Sequence, residues 1–583
     1  LNFVRHPWLS IICAALACGG KGLDRPRDVR ASAVESGVEV SWRPVAGAKS
    51  YRVQLVDLDA RGPLSAPVTV RAPHATLPGA YAKNAGVWVD AVPGGRSVGF
   101  VSAGARGGAG EAWQIFGPAD FRGGELRADF PSLAAGERLG VLLVNSGGRD
   151  EAQARVDVSG VAQEPASSAP PRSAALRIAG APAVSLHEAA REAQEAAAPF
   201  SFATGSVAAA EPSGSLAKRS FCVVPGLDFG RHVRKPATRV ADTAHAEFFV
   251  DDQDLSHYEG NLIDALARAF EEKVWPADAA AFGAPTDVDA NGKVLVLLTH
   301  ELGAHLNGGW LIGYFGNGDL LRARDNSSDC SGSGSNHAEI VYLNDLQNGA
   351  ANGYSAQDLA GTVYPATLAH ELQHLLNLGH RCVEKPCDGP EDTWINEALS
   401  KVAEDLAGYG WNGGMGRAEG AAYLSRSEGA LRGYDGRSLT RWEGDPIGNY
   451  QGAHSFLRFF TDRFGSEMAG ALASGAGGLD GLEDALGRPL PRAMAEWATA
   501  LLLSNEAGAP YSYSGGAWSP LHQRLRHLEY RAPGAGVSLR TDGIAAFVSG
   551  AGRGGSAQVV VRSGERVSPH VVVVRIAGDL PSR

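Results

Sequence analysis

The sequence has no apolar run long enough to cross a bilayer. Val294–Thr299 and Val571–Ile576 have the length of strands, against the ~20 apolar residues of a spanning helix. Positive charge is also short. Lys and Arg total 53 against 64 Asp and Glu, for a net charge of −11. No basic cluster stands out, which argues against a nucleic-acid partner. Cysteine is scarce, with six residues at 13, 18, 222, 330, 382 and 387. The first two fall in an N-terminal apolar stretch. The other four are even in number, as two disulfides outside the cytoplasm would need. Cys382 and Cys387 can close a small loop, which would leave Cys222 with Cys330, but three pairings stay open. What is present is length: 583 residues suffice for several domains and a large core.

The chain opens with Arg5 and His6 before an apolar stretch from Trp8 to Ala17, then Cys18-Gly19-Gly20. A short basic start, a brief apolar core and small residues form an export signal over 1–18. Ala15-Leu16-Ala17-Cys18 resembles a bacterial lipobox. That resemblance implies an extracytoplasmic protein held to the outer membrane or cell surface by lipid on Cys18. Secretion after ordinary cleavage is the alternative.

Residues 23–104 alternate as a β-sandwich does: Val38-Glu-Val-Ser-Trp42, Tyr51-Arg-Val-Gln-Leu55 and Val87-Trp-Val-Asp-Ala-Val92. Pro26, Trp42, the following Pro-Val-x-Gly-Ala and Tyr51 resemble a fibronectin type III module. Residues 106–162 read as a small β domain. Residues 163–217 are rich in Ala, Pro, Ser and Glu and read as a linker or propeptide-like segment. Within them, Ser185-Leu-His-Glu188 starts a short helix. Residues 218–526 mix strands and helices, and 527–583 return to strands as a C-terminal β domain. The expected fold class is therefore multidomain: β modules, an α+β domain, and a β domain at the end.

The chemistry is concentrated in Leu368–His380, LAHELQHLLNLGH. His370-Glu371-Leu372-Gln373-His374 is an H-E-x-x-H. On a helix both imidazoles share a face and can reach one metal ion, for which zinc is suited. Glu371 can lean over a metal-bound water without ligating. Leu368, Leu372, Leu375, Leu376 and Leu378 form an apolar stripe, and Tyr364-Pro365 suits a helix start. Two residues compete for third ligand. His380 completes H-E-x-x-H-x-x-N-x-x-H, a metzincin pattern with Asn377 in place of Gly, but only Met415 is near enough for the accompanying Met-turn. Glu397, in Thr393-Trp-Ile-Asn-Glu-Ala-Leu-Ser-Lys-Val-Ala-Glu-Asp405, would come from a second helix and complete a His2Glu set.

HELQHLLN followed by WINEALSKVAEDL resembles the hyicolysin family of bacterial zinc metallopeptidases, over roughly residues 218–505. The resemblance implies a thermolysin-like zincin fold, one catalytic zinc on His370, His374 and Glu397, and Glu371 as general base in peptide-bond hydrolysis. Lys401 stands where thermolysin has an acidic residue that orients a ligand His, so Glu404 or Asp405 is expected to take that part. Tyr450, and after it His454, are the candidates to stabilise the oxyanion. The implied partner is a protein or peptide substrate, laid as an extended strand against the edge of Ala338–Leu343. An inactive surface-binding lipoprotein and a metzincin-type peptidase are the alternatives.

Two further runs carry possible ligands. His300-Glu-Leu-Gly-Ala-His305 is one residue too long for an H-E-x-x-H. Asp287-Val-Asp289-Ala-Asn291-Gly292 looks like half a calcium loop. Leu298 stands where such a loop needs a Glu, so a turn into Val294–Thr299 is the expectation and structural calcium the secondary reading.

Overall fold

A computed structural model describes residues 24–79, 84–103, 112–146, 151–162, 218–228, 231–258, 261–303, 311–384, 391–410, 437–442, 446–503, 530–564 and 568–577. The export signal with Cys18, the linker with its Ser185 helix start, His305, Cys387 and Met415 lie outside these residues. None of the described helices is long and apolar enough to cross a membrane. The chain divides into two compact units, one of residues up to Gly108 with Gly487–Pro489, the other of the remainder.

In the first unit the three expected strands are present as Gly37–Arg43, Ser50–Asp57 and Ala85–Val92. Their alternation works as anticipated: Val38, Val40, Trp42, Tyr51, Val53, Val87 and Val89 are buried in one core. Trp42 and Tyr51 meet edge to face at 5.1 Å. The Tyr51 hydroxyl accepts a hydrogen bond from the Val45 backbone at 2.8 Å.

The second unit holds a six-stranded sheet made of β1 (Lys218–Val223), β2 (Val233–Asp242), β3 (Ala246–Asp251), β4 (Val294–Thr299), β5 (Gly313–Phe315) and β6 (Ile340–Asn344). The spatial order is β1-β2-β3-β4-β6-β5. β3, β4 and β6 run parallel, and every residue of β4 and β6 is buried, as a sheet covered on both faces requires. A disulfide joins Cys222 on β1 to Cys330. Cys382 is also disulfide-bonded.

The expected substrate edge needs correction. Ile340–Asn344 is an interior strand, paired with β4 on one side and antiparallel with β5 on the other. Among the described residues the strand order ends at β5, only three residues long. Gly313-Tyr-Phe315 is too short to show an alternation, so nothing in its sequence marked it as a strand.

The same unit contains the helices α1 (Leu262–Ala269), α2 (Tyr364–Leu378), α3 (Thr393–Leu406) and α4 (Pro446–Phe464). α2 starts at Tyr364 with Pro365 in its first turn, as expected. It is buried nearly all round rather than along one stripe; only Thr367 and His370 are partly exposed.

The two stretches expected as separate β domains are interleaved. Glu125–Leu133 pairs with Gly555–Ser563, which pairs with Ala152–Ser159. Arg138–Asn145 lies between Gly543–Val548 and His570–Ile576. Neither stretch supplies two complete sheets, so each completes the other's ladders and buries a shared Val-, Leu- and Phe-rich interior. Helix Leu490–Leu503 leans on this β pair: the Trp113 indole donates to Thr499 Oγ1 at 3.0 Å, and the Arg492 guanidinium sits 4.3 Å over the Trp113 ring.

Candidate active site

α2 and α3 pack side by side, and their facing sides are polar where most packed helices are apolar. Glu397 and Ser400 on α3 are fully buried, and Lys401, Glu404 and Asp405 nearly so. So many buried charges are tolerable only if they are paired. Of these, Glu397, Ser400 and Glu404 face the histidines of α2.

His370, His374 and Glu397 converge, with one ligand atom from each within 4.8 Å of the others. His370 Nε2 lies 3.2 Å from Glu397 Oε2, and His374 Nε2 lies 3.6 Å from the same oxygen. Donors about 2.0–2.1 Å from a tetrahedral zinc stand roughly 3.3 Å apart, so the spacing fits a zinc ion. The rings cross at 82° with centroids 4.8 Å apart. Both are held from behind. His370 Nδ1 is 2.8 Å from Glu404 Oε1, and His374 Nδ1 is 3.0 Å from Asn396 Oδ1. With each Nδ1 engaged, each Nε2 points inward, the arrangement that orients ligand imidazoles. Ser400 Oγ stands 3.1 Å from His370 Nε2.

The electrostatics favour positive charge at this point. Burial alone would lower the His370 pKa, yet the carboxylates of Glu397, Glu404 and Glu371 raise it to about 10. The chain thus holds a proton where a metal would put charge. Burial tends to raise the Glu404 pKa, but Lys401 and His370 outweigh it and hold the carboxyl below its ordinary range.

Of the two expected orienting acids, Glu404 reaches His370 and Asp405 does not. Asp405 instead accepts from His454 Nε2 at 2.8 Å and from Arg458 at 2.6 Å, both on α4. Burial lowers the His454 pKa, while His454 and Arg458 outweigh burial at Asp405 and lower its pKa. A neutral His454 therefore donates to a charged Asp405. This ties α4 to α3. Tyr450 is buried on α4 with its ring 4.8 Å from that of Trp442.

His380 stands apart from the group. Its Nδ1 pairs with Glu384 at 3.1 Å, and its ring lies against Gly283. The helix widens into a π turn at Gly379–Val383, which carries His380 away from the line of His370 and His374. Asn396 was not foreseen. It sits one residue before Glu397, and a neutral amide in an acidic helix gives no signal of its own.

The calcium-like loop is mostly self-satisfied. Asp287 accepts from the Gly292 backbone, and Asn291 binds Asp289 and the Lys293 backbone. Asp287 and Asp289 do approach Glu339 closely enough to form a three-carboxylate group. Leu298 is interior to β4.

No family model matches the chain. The chain is 27% identical over 199 residues to the neutral metalloprotease ShpI of Staphylococcus hyicus, a stretch covering 34% of this chain and 41% of that protein. It thus spans about two fifths of the relative's length. The likeness supports a relation to metallopeptidases.

Proposed function

We propose that the chain is an extracytoplasmic zinc endopeptidase of the hyicolysin, thermolysin-like type, with His370, His374 and Glu397 as metal ligands. The observation that carries this is the convergence of those three side chains with both imidazoles braced from behind. The likeness to a neutral metalloprotease supports it. When bound, zinc supplies Lewis-acid polarisation of a carbonyl and a water of lowered pKa. Glu371, beside His370 and almost fully buried, takes a proton from water and returns it to the leaving amine. Glu404 and Asn396 fix the two rings, and Tyr450 is the candidate donor to the oxyanion.

The extended substrate is proposed to lie near β5, which borders the H-E-x-x-H helix: a Cβ placed on Gly313 would lie 2.8 Å from the Thr367 side chain, one turn before His370. Lipid on Cys18 remains the proposed anchor.

The test is casein cleavage by the full chain. Activity lost on chelation and restored by Zn²⁺ alone supports the reading. Cleavage that persists in the metal-stripped protein contradicts it.

A further inference from the structure

Away from α2 and α3, the sheet carries another set of ligand-type side chains. The parallel strands β3, β4 and β6 end together. Asp251 is the last residue of β3, His300 follows β4, and Asp345 follows β6. The turn after β3 adds Asp254 and His257. Asp251, Asp254 and His300 form one group with ligand atoms within 4.8 Å, and Asp254, His257 and Asp345 form another. Asp254 belongs to both, so the five make a single cluster. His300 Nδ1 lies 2.8 Å from Asp254 Oδ1, and His257 Nδ1 lies 2.9 Å from Asp345 Oδ2.

Two observations set this cluster apart from an ordinary ion-pair network. First, its charge is unbalanced. Asp251, Asp254 and Asp345 are all at least 98% buried. The lysine beside them, Lys235, is 3.5 Å from Asp251 but 2.6 Å from Glu301, and so is shared. Buried carboxylates persist only with compensation. Second, the fully buried Asp345 carboxylate faces His257 and Asp254 and leaves Oδ1 to the Tyr258 hydroxyl alone, outside good hydrogen-bond geometry. A native protein rarely leaves a buried carboxylate oxygen so poorly paired.

We propose that these five side chains bind a second divalent cation, one that accepts mixed nitrogen and oxygen donors. Two imidazoles point to Zn²⁺ or Mn²⁺ and away from Ca²⁺ and Mg²⁺, which take oxygen ligands. The site is structural. It clamps the ends of three strands, and Tyr364, the first residue of α2, donates to the Asn344 carbonyl at 2.6 Å just before Asp345. The cation thereby anchors the start of the helix that carries His370.

The test is Zn²⁺ titration of the metal-stripped full chain, followed by calorimetry, with Ca²⁺ titrated in parallel. It does not depend on the peptidase reading, because binding is counted without turnover. The wild type should take two equivalents, His374→Ala one, Asp254→Asn one, and the double variant none. Should Asp254→Asn fail to fold, the partly exposed pair His257→Gln and His300→Gln replaces it, with the same loss of one equivalent expected. A single equivalent in the wild type that His374→Ala removes would overturn the proposal, as would a second equivalent retained when the cluster is substituted. Ca²⁺ taken in preference to Zn²⁺ at the second site would overturn the mixed-donor assignment.

Discussion

The His370 group and the strand-end group around Asp254 are built from the same side chains but in opposite ways. The first is local. Two of the proposed ligands come from one helical turn and the third from the next long helix, so spacing in sequence mirrors spacing in space. The second spans Asp251 to Asp345, each strand giving one residue at the point where it ends. A helix writes its site as a motif, whereas a parallel sheet scatters it, because neighbouring strand ends lie dozens of residues apart. The two groups also hold their side chains differently. His370 and His374 are braced by Glu404 and Asn396, whereas one oxygen of Asp345 is left poorly paired.

The third ligand is where this contrast is most exposed to failure. Glu397→Ala should lose zinc at the α2–α3 group and with it more than about 99% of casein activity, the scale on which a lost catalytic element acts. His380→Ala should keep both. Equilibrium zinc binding and turnover, measured together, decide this, and the reverse pattern would restore the metzincin reading. Next come the braces. Glu404→Ala should weaken zinc about 10–100-fold, the range for orienting partners of ligand imidazoles. Asn396→Ala should fall at the lower end, since a neutral amide adds less to ring basicity. Chelator competition measures both.

The Asp405 cluster separates bracing of the metal ligands from support of the fold. Asp405→Asn removes the buried charge that His454 and Arg458 share, leaving Arg458 its pair with Asp462, and should cost up to about 3 kcal/mol in urea unfolding, while Glu404→Ala is felt in metal affinity. The smallest effect concerns the crowded carboxylates Asp287, Asp289 and Glu339. Burial pushes Glu339 from an ordinary 4.5 up to about 7. The folded chain thus holds a proton that the unfolded chain releases. Without calcium, stability should fall as pH rises from about 4.5 to 7, by on the order of 1 kcal/mol per pH unit. Glu339→Gln should flatten that slope. A slope unchanged by the substitution would remove Glu339 as its cause.

The H-E-x-x-H helix, the helix that carries Glu397 and the strands of the first unit were legible because each rests on a periodicity within one element. What was missed depends on partners distant in the chain. The alternation of Ala338–Leu343 marks a strand but cannot say how many neighbours it has. The interleaving of 112–162 with 530–577 is invisible from either half, since each reads as a plausible small sheet. The pairing of His454 with Asp405, 49 residues earlier, is announced by nothing in its surroundings in sequence.

Everything proposed for the α2–α3 group turns on Glu371 acting as a base beside a metal it does not ligate. Bound zinc and casein cleavage, measured on the same preparation of Glu371→Gln, address that role without an intermediate step. The expected outcome is wild-type zinc content with turnover reduced at least about 100-fold, the lower range for loss of a general base. A variant that keeps its zinc and cleaves casein like the wild type would refute the assignment.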